Sequence, residues 1–147
     1  MYYLKTEGSF DAAHFLKGYT GTCCNLHGHR WRLVVEIKSE TLKEKGQIRS
    51  MVVDFADLKQ TVKQLCDVMD HSLIYESGSL KDKTVQALQE ENFRLMEMPF
   101  RPTAEELAKY FYGQVRKEGY TVNRVEVYET PANCAAYEET GSSPDPQ

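Results

Sequence analysis

The sequence predicts an α+β fold in which helices pack on an antiparallel sheet. Three observations carry this. Apolar and polar residues alternate from His27 to Ile37, the two-residue period of a strand with one buried face. Apolar residues recur at helical spacing in two later stretches, Phe55 to Met69 and Leu107 to Val115. The segments follow one another as strands, helix, helix, strands, an order that favours an α+β layer over a parallel sheet built from alternating strands and helices.

Taken in order, residues 2 to 14 are rich in Tyr and Phe and form the first extended segment, which ends at His14. A loop containing Gly18 and Gly21 runs into Cys23 and Cys24. The second strand begins at His27 and places His27, His29, Trp31, Leu33, Val35 and Ile37 on one face, with Arg30, Arg32, Glu36 and Lys38 on the other. Gly46 marks a turn, and Met51 to Val53 is expected to continue as strand. Asp54 can accept from the free N–H groups at the start of a helix whose apolar positions are Phe55, Leu58, Val62, Leu65 and Met69. That helix delivers Asp70 and His71 at its C-terminal end. Between residues 75 and 100, Ser77-Gly78-Ser79 reads as a loop, Val85 to Asn92 as a short helix and Phe93 to Phe100 as a short strand. Thr103 followed by Glu106 is a capping box for a helix that buries Leu107, Tyr110, Phe111 and Val115 and ends near Gly119. Val122 to Tyr137 is extended and broken near Pro131. The organisation expected is one domain over residues 1–137 and a polar, flexible tail over 138–147.

A polypeptide of 147 residues is long enough to bury a core without disulfide staples. Its four cysteines, Cys23, Cys24, Cys66 and Cys134, have no framework spacing, and the N-terminus lacks a signal pattern, so a cytoplasmic location is expected. No apolar run approaches the ~20 residues that span a bilayer, so no membrane role is expected. A net charge of −4 argues against a nucleic-acid surface, because phosphate backbones are held by clustered Lys and Arg. A small anionic ligand needs only a few convergent cations and remains compatible with this charge.

Chemistry concentrates around Cys23-Cys24-Asn25-Leu26-His27-Gly28-His29. Residues i and i+2 of a strand share a face, so His27 and His29 can close on one metal ion, and His14 can join them if the first two strands pair. Three histidines with an open fourth position are the arrangement of catalytic zinc. A thiol beside such an ion has its thiolate favoured and can act as base or nucleophile, although free cysteines are more often small buried hydrophobes. Asp70 and His71 read either as an ordinary helix end or as a proton shuttle whose carboxylate fixes the imidazole tautomer. Glu129 shares a face with Val125 and Val127; it is either a solvated strand end or an inward carboxylate that needs a ligand with adjacent N–H donors. Thr103 has the helix cap as a sufficient role.

Phe10-Asp11-Ala12-Ala13-His14, Cys23 with His27-Gly28-His29, Val53-Asp54-Phe55, Asp70-His71, Pro102-Thr103-Ala104-Glu105 and Val127-Tyr128-Glu129-Thr130, in that order, resemble the 6-pyruvoyl-tetrahydropterin and 6-carboxytetrahydropterin synthase family. The resemblance implies a tunnelling fold, an antiparallel four-stranded sheet with two helices on one face, assembled as a trimeric barrel and usually a hexamer with active sites between subunits. It implies zinc on His14, His27 and His29, a catalytic thiol at Cys23, a proton relay at Asp70 and His71, a pterin anchor at Glu129, and Thr103 as a seat for the ring. The implied substrate is 7,8-dihydroneopterin triphosphate. Cys23 stands four positions before His27, a spacing similar to that of the carboxy-forming branch, which serves queuosine biosynthesis and releases acetaldehyde and triphosphate. Pyruvoyl-forming chemistry on the same fold and a noncatalytic pterin- or zinc-binding module are the alternatives. Cys24 and the long segment from Tyr75 to Pro99 depart from the family pattern, and Lys17, Arg30 and Arg49 are nearby candidates to receive the triphosphate.

Overall fold

The computed structural model describes residues 1–141. Strand β1 (Tyr2–His14) pairs antiparallel with β2 (His27–Ser39) along its whole length, in a register that sets His14 directly opposite His27 and Ala12 opposite His29. Strand β5 (Val122–Thr130) joins the other edge of β2, and β6 (Asn133–Tyr137) returns alongside β5 after the break at Pro131. These four strands are the expected antiparallel sheet. The sheet is nevertheless six-stranded: β3 (Ser72–Glu76) and β4 (Leu95–Met98) extend the β1 edge in parallel, giving the order β4-β3-β1-β2-β5-β6.

The two added strands account for the weakly patterned segment. Parallel neighbours cannot be joined by a tight hairpin and need a crossover. Helix α2 (Asp82–Glu90) provides it; it starts three residues before the expected Val85 and buries none of its side chains, so little hydrophobic periodicity marks it. Among the described residues the two main helices and the short one are thus all present.

The main helices cover one face of the sheet. Helix α1 (Phe55–Met69) buries Leu58, Val62, Cys66 and Met69, and α3 (Ala104–Lys117) buries Leu107, Ala108, Phe111, Tyr112 and Val115. They close over Phe10, Trp31, Leu33, Val35, Ile37, Val125 and Val127 from the sheet. At Gly8 a Cβ would come within 3.0 Å of Cys66 Sγ, so the missing side chain lets α1 settle onto β1. Asp54 caps α1 through a 2.8 Å bond from the Ala56 N–H. The preceding Met51–Val53 is not a strand: the Met51 carbonyl accepts from Lys43 and Ser50 stands at φ +66°, a loop conformation with no strand partner to extend it. The capping box at α3 is half formed. Thr103 Oγ1 accepts from the Glu106 N–H at 3.3 Å, while the Thr103 N–H turns back to the Arg101 carbonyl.

Of the expected tail, Glu138 and Glu139 are held by ion pairs to Arg124 and Arg116. Residues 142–147 lie outside the described residues. Among the described residues no helix is long and apolar enough to cross a membrane.

Candidate metal centre and active site

The β1/β2 register builds the centre. His14 and His27 face each other across the two strands and His29 follows His27 on the same face, so three imidazoles converge over Trp31, which is fully buried and donates its indole N–H to the Ala12 carbonyl at 3.2 Å. Ring centroids lie 4.6 Å apart for His14 and His27, 4.8 Å for His27 and His29, and 5.2 Å for His14 and His29. Glu129, one step past the Arg32–Tyr128 pair of β2 and β5, brings Oε1 to 3.2 Å from His14 Nε2 and 3.1 Å from His29 Nε2. The four residues offer ligand atoms within 4.8 Å of one another and form a group able to hold a metal ion.

The hydrogen bonding of this group fits a cation. His14 donates Nδ1–H to the Pro102 carbonyl at 2.8 Å, and His27 donates Nδ1–H to the Asn25 carbonyl at 2.7 Å. Both tautomers are thereby fixed with bare Nε2 lone pairs, and those two Nε2 atoms stand 3.1 Å apart. Two acceptors at that separation repel unless a positive centre lies between them. His29 Nε2 is buried and not aligned for a hydrogen bond to any neighbour, Glu129 included, a third nitrogen awaiting a partner. Burial lowers the proton affinity of His14 and, to the same sign, of His29, which keeps both imidazoles neutral as ligation requires.

Beside the histidines opens a cavity of about 340 Å³ whose wall includes His14, Tyr19, Cys23, Thr103, Glu105 and Glu129. Cys23 enters it from the short 3₁₀ turn Thr22–Cys24, which is held by the Leu16 N–H donating to the Cys23 carbonyl at 2.9 Å. Cys24 is exposed and is not among the cavity residues, so of the adjacent thiols Cys23 alone lines the cavity beside the histidines. Groups in this wall that escaped the sequence reading include Cys134, which enters from β6 with Asn133, and Tyr19 from the preceding loop. Tyr19 had a signal in Gly21, which adopts φ +149° and where a Cβ would come within 2.7 Å of the Tyr19 ring. Cys134 had none, because the β5/β6 turn alone brings it there.

Asp70 and His71 are joined to each other by a 2.9 Å contact between Asp70 Oδ2 and His71 Nδ1. The Asp11 backbone N–H, donating to Asp70 Oδ1 at 2.8 Å, and then the His71 imidazole hold the Asp70 carboxyl below the usual carboxylate range. His71 adopts φ +55°, a costly conformation for a residue with a Cβ, pinned by its N–H to the Asp11 carbonyl. This pair does not meet Cys23. His71 lines a shallow cleft with Asp11, His29 and Arg30 that shares no lining residue with the Cys23 cavity. A further cleft of about 490 Å³ lies among Glu7, Arg30, Arg32 and Tyr128; neither a Cys nor a His lines it, and its Arg32 is engaged by the Tyr128 ring at 3.9 Å.

A group of three histidines and a carboxylate able to hold a metal ion, with a thiol in the adjoining cavity, thus stands at one end of this sheet. The protein belongs to the 6-pyruvoyl tetrahydropterin synthase family, whose model matches residues 3–140. It is 38% identical to the 6-carboxy-5,6,7,8-tetrahydropterin synthase of Haemophilus influenzae, across 95% of this chain and 100% of that one. It is 31% identical to the protein of the same name from Synechocystis, across 98% of both. Among solved structures, an uncharacterised protein from Wolinella succinogenes superimposes with a TM-score of 0.76 at 21% identity, covering 95% of this chain and 98% of that one. A 6-pyruvoyltetrahydropterin synthase from Plasmodium vivax superimposes with a TM-score of 0.69 at 21% identity, covering 94% and 97%. These two likenesses establish the tunnelling fold.

Proposed function

We propose that the protein is a zinc-dependent lyase that converts 7,8-dihydroneopterin triphosphate and one water to 6-carboxy-5,6,7,8-tetrahydropterin, acetaldehyde and triphosphate, the carboxy-forming step of queuosine biosynthesis. The observation that carries the reading is the pair of Nε2 atoms of His14 and His27, held face to face beside the Cys23 cavity in a protein whose relatives bear that enzyme's name. His14, His27 and His29 are the ligands. A bound zinc ion supplies Lewis acidity toward the hydroxyls of the substrate's three-carbon arm.

The protein's own groups do the rest. Glu129 accepts from the adjacent N–H donors of the pterin edge through the oxygen turned away from the histidines, and Thr103 lines the same wall to seat the ring. Fixing the ring holds a C–H bond of the three-carbon arm within reach of the Cys23 thiolate, which removes its proton. The relay of Asp70 and His71 returns a proton elsewhere on the ligand; the carboxylate, ionised and bonded to Nδ1, directs the proton to Nε2 of the imidazole. Because the relay and the thiol open into different clefts of one subunit, the relay that serves a given Cys23 belongs to a neighbouring copy, as in a trimeric barrel, with two trimers forming a hexamer. The protein acts in the cytoplasm on a small pterin and on neither nucleic acid nor membrane.

The test is a single incubation. Zinc-loaded protein given 7,8-dihydroneopterin triphosphate under reducing conditions should yield the carboxy product and one acetaldehyde per turnover, read by mass. A product that retains the three-carbon arm would move the protein to the pyruvoyl branch. Zinc and pterin binding without turnover would leave only a binding module.

A further inference from the structure

Among the described residues, two buried side-chain polar atoms lack any hydrogen-bond partner, His29 Nε2 and Arg101 Nε. Unpaired buried donors and acceptors are costly and rarely accidental. The first belongs to the metal centre. The second is tied to that centre through its neighbours: Arg101 precedes Pro102, whose carbonyl lies 2.8 Å from His14 Nδ1, and the Arg101 carbonyl accepts from the N–H of Thr103, a residue of the Cys23 cavity. The Arg101 guanidinium lies 5.7 Å from the ring centroid of Tyr19, another residue of that cavity. It takes part in no ion pair among the described residues, unlike Arg30, Arg32, Arg116 and Arg124.

The cavity itself is short of positive charge. Its wall contains the carboxylates Glu105 and Glu129 and neither Lys nor Arg. A neutral pterin ring tolerates that wall, but a triphosphate carrying several negative charges does not unless a cation meets it at the rim. We infer that Arg101 is the substrate-binding residue that receives the triphosphate group, with Tyr19 supporting its guanidinium plane. Arginine suits the task because its planar fork of N–H donors matches two phosphate oxygens at once, and the terminal nitrogens of Arg101 are engaged in no ion pair among the described residues. The aromatic face holds the fork in place without taking up a donor. Arg30, by contrast, spends both arms on Asp11, at 2.9 Å each.

This inference rests on the pterin triphosphate reading above, and the experiment separates the two. In a Cys23→Ala background, which prevents turnover, the affinities of the zinc-loaded full-length protein for 7,8-dihydroneopterin triphosphate and for unphosphorylated 7,8-dihydroneopterin are measured side by side, and their ratio reports recognition of the phosphates. Adding Arg101→Gln should lower that ratio tenfold or more while zinc content and affinity for the unphosphorylated pterin stay unchanged. Arg101→Lys, which keeps the charge and loses the fork, should fall between. An unchanged ratio in Arg101→Gln overturns the assignment of Arg101 and leaves the pterin reading standing. Equal loss of both affinities also overturns it, since Arg101 would then shape the pocket rather than bind phosphate. Failure of the background protein to bind either pterin overturns the reading on which the inference rests.

Discussion

Replacement of Glu129 by Gln tests how one carboxylate divides its work between the metal centre and the ligand. Oε1 stands 3.2 and 3.1 Å from the Nε2 atoms of His14 and His29, and the side chain keeps 27% of its exposure, so the site is only partly dry. Gln preserves the shape but removes the charge and replaces one acceptor by an N–H₂ group facing the pterin's own N–H donors. A charge-assisted hydrogen bond is worth ~1.5–3 kcal/mol, and partial exposure favours the lower part of that range, about 1.5–2 kcal/mol. The affinity for an unphosphorylated reduced pterin should therefore fall about ten- to thirtyfold. Three imidazoles remain, so zinc should stay at one ion per subunit. The assay is a fluorescence titration of the pterin into zinc-loaded wild type and Glu129→Gln, with metal content measured on the same samples. Unaltered pterin affinity would refute the anchoring role, and loss of zinc from the variant would make Glu129 a fourth ligand instead.

The histidines should differ in what they hold up. Both His27→Ala and His14→Ala should lose bound zinc and turnover, measured by metal analysis and product assay. In chelator-treated protein His14→Ala should also lower the denaturation midpoint, because His14 is 1% exposed and its removal orphans the buried Pro102 carbonyl, a cost of ~1–3 kcal/mol, whereas half-buried His27 should cost less. Cys23→Ala should abolish most turnover with zinc and pterin retained, and Cys24→Ala should stay within about a few-fold of wild type; the reverse result in the same product assay would transfer the base to Cys24. Burial depresses the pKa of His14 and His29 in the folded protein below the value of about 6.5 they have when unfolded, so the unfolded state takes up protons first. Stability of the metal-free protein should thus be full above that value and decline as pH falls through it, at ~1.4 kcal/mol per pH unit for each proton, until the folded pKa values are reached; a flat urea midpoint between pH 7 and 5 would contradict this.

The parts of this protein legible in its sequence are those whose signal is local. The alternation from His27 to Ile37, the Asp54 and Thr103 caps, and the helical stripes through Leu58 and Phe111 reappear as β2, α1 and α3 because each depends on a repeat or a hydrogen bond within a few residues. The three-histidine centre was legible for a related reason, since His27 and His29 share a face on any strand and His14 ends the extended segment just before it. Whatever depends on register and on partners distant in sequence had to await the fold. Strands β3 and β4 are short and joined by a helix that buries nothing, so only the edge of β1 makes them part of the sheet. Glu129 meets His14 and His29, and Cys23 but not Cys24 lines the adjoining cavity, because β5 and the 3₁₀ turn are set at specific positions against β2. The separation of Asp70 and His71 from Cys23 is likewise invisible in one dimension. Residue type and spacing state what chemistry a polypeptide can do, but which of those residues face one another is fixed by strand register and sheet order, and these are set by packing energy summed over the whole core.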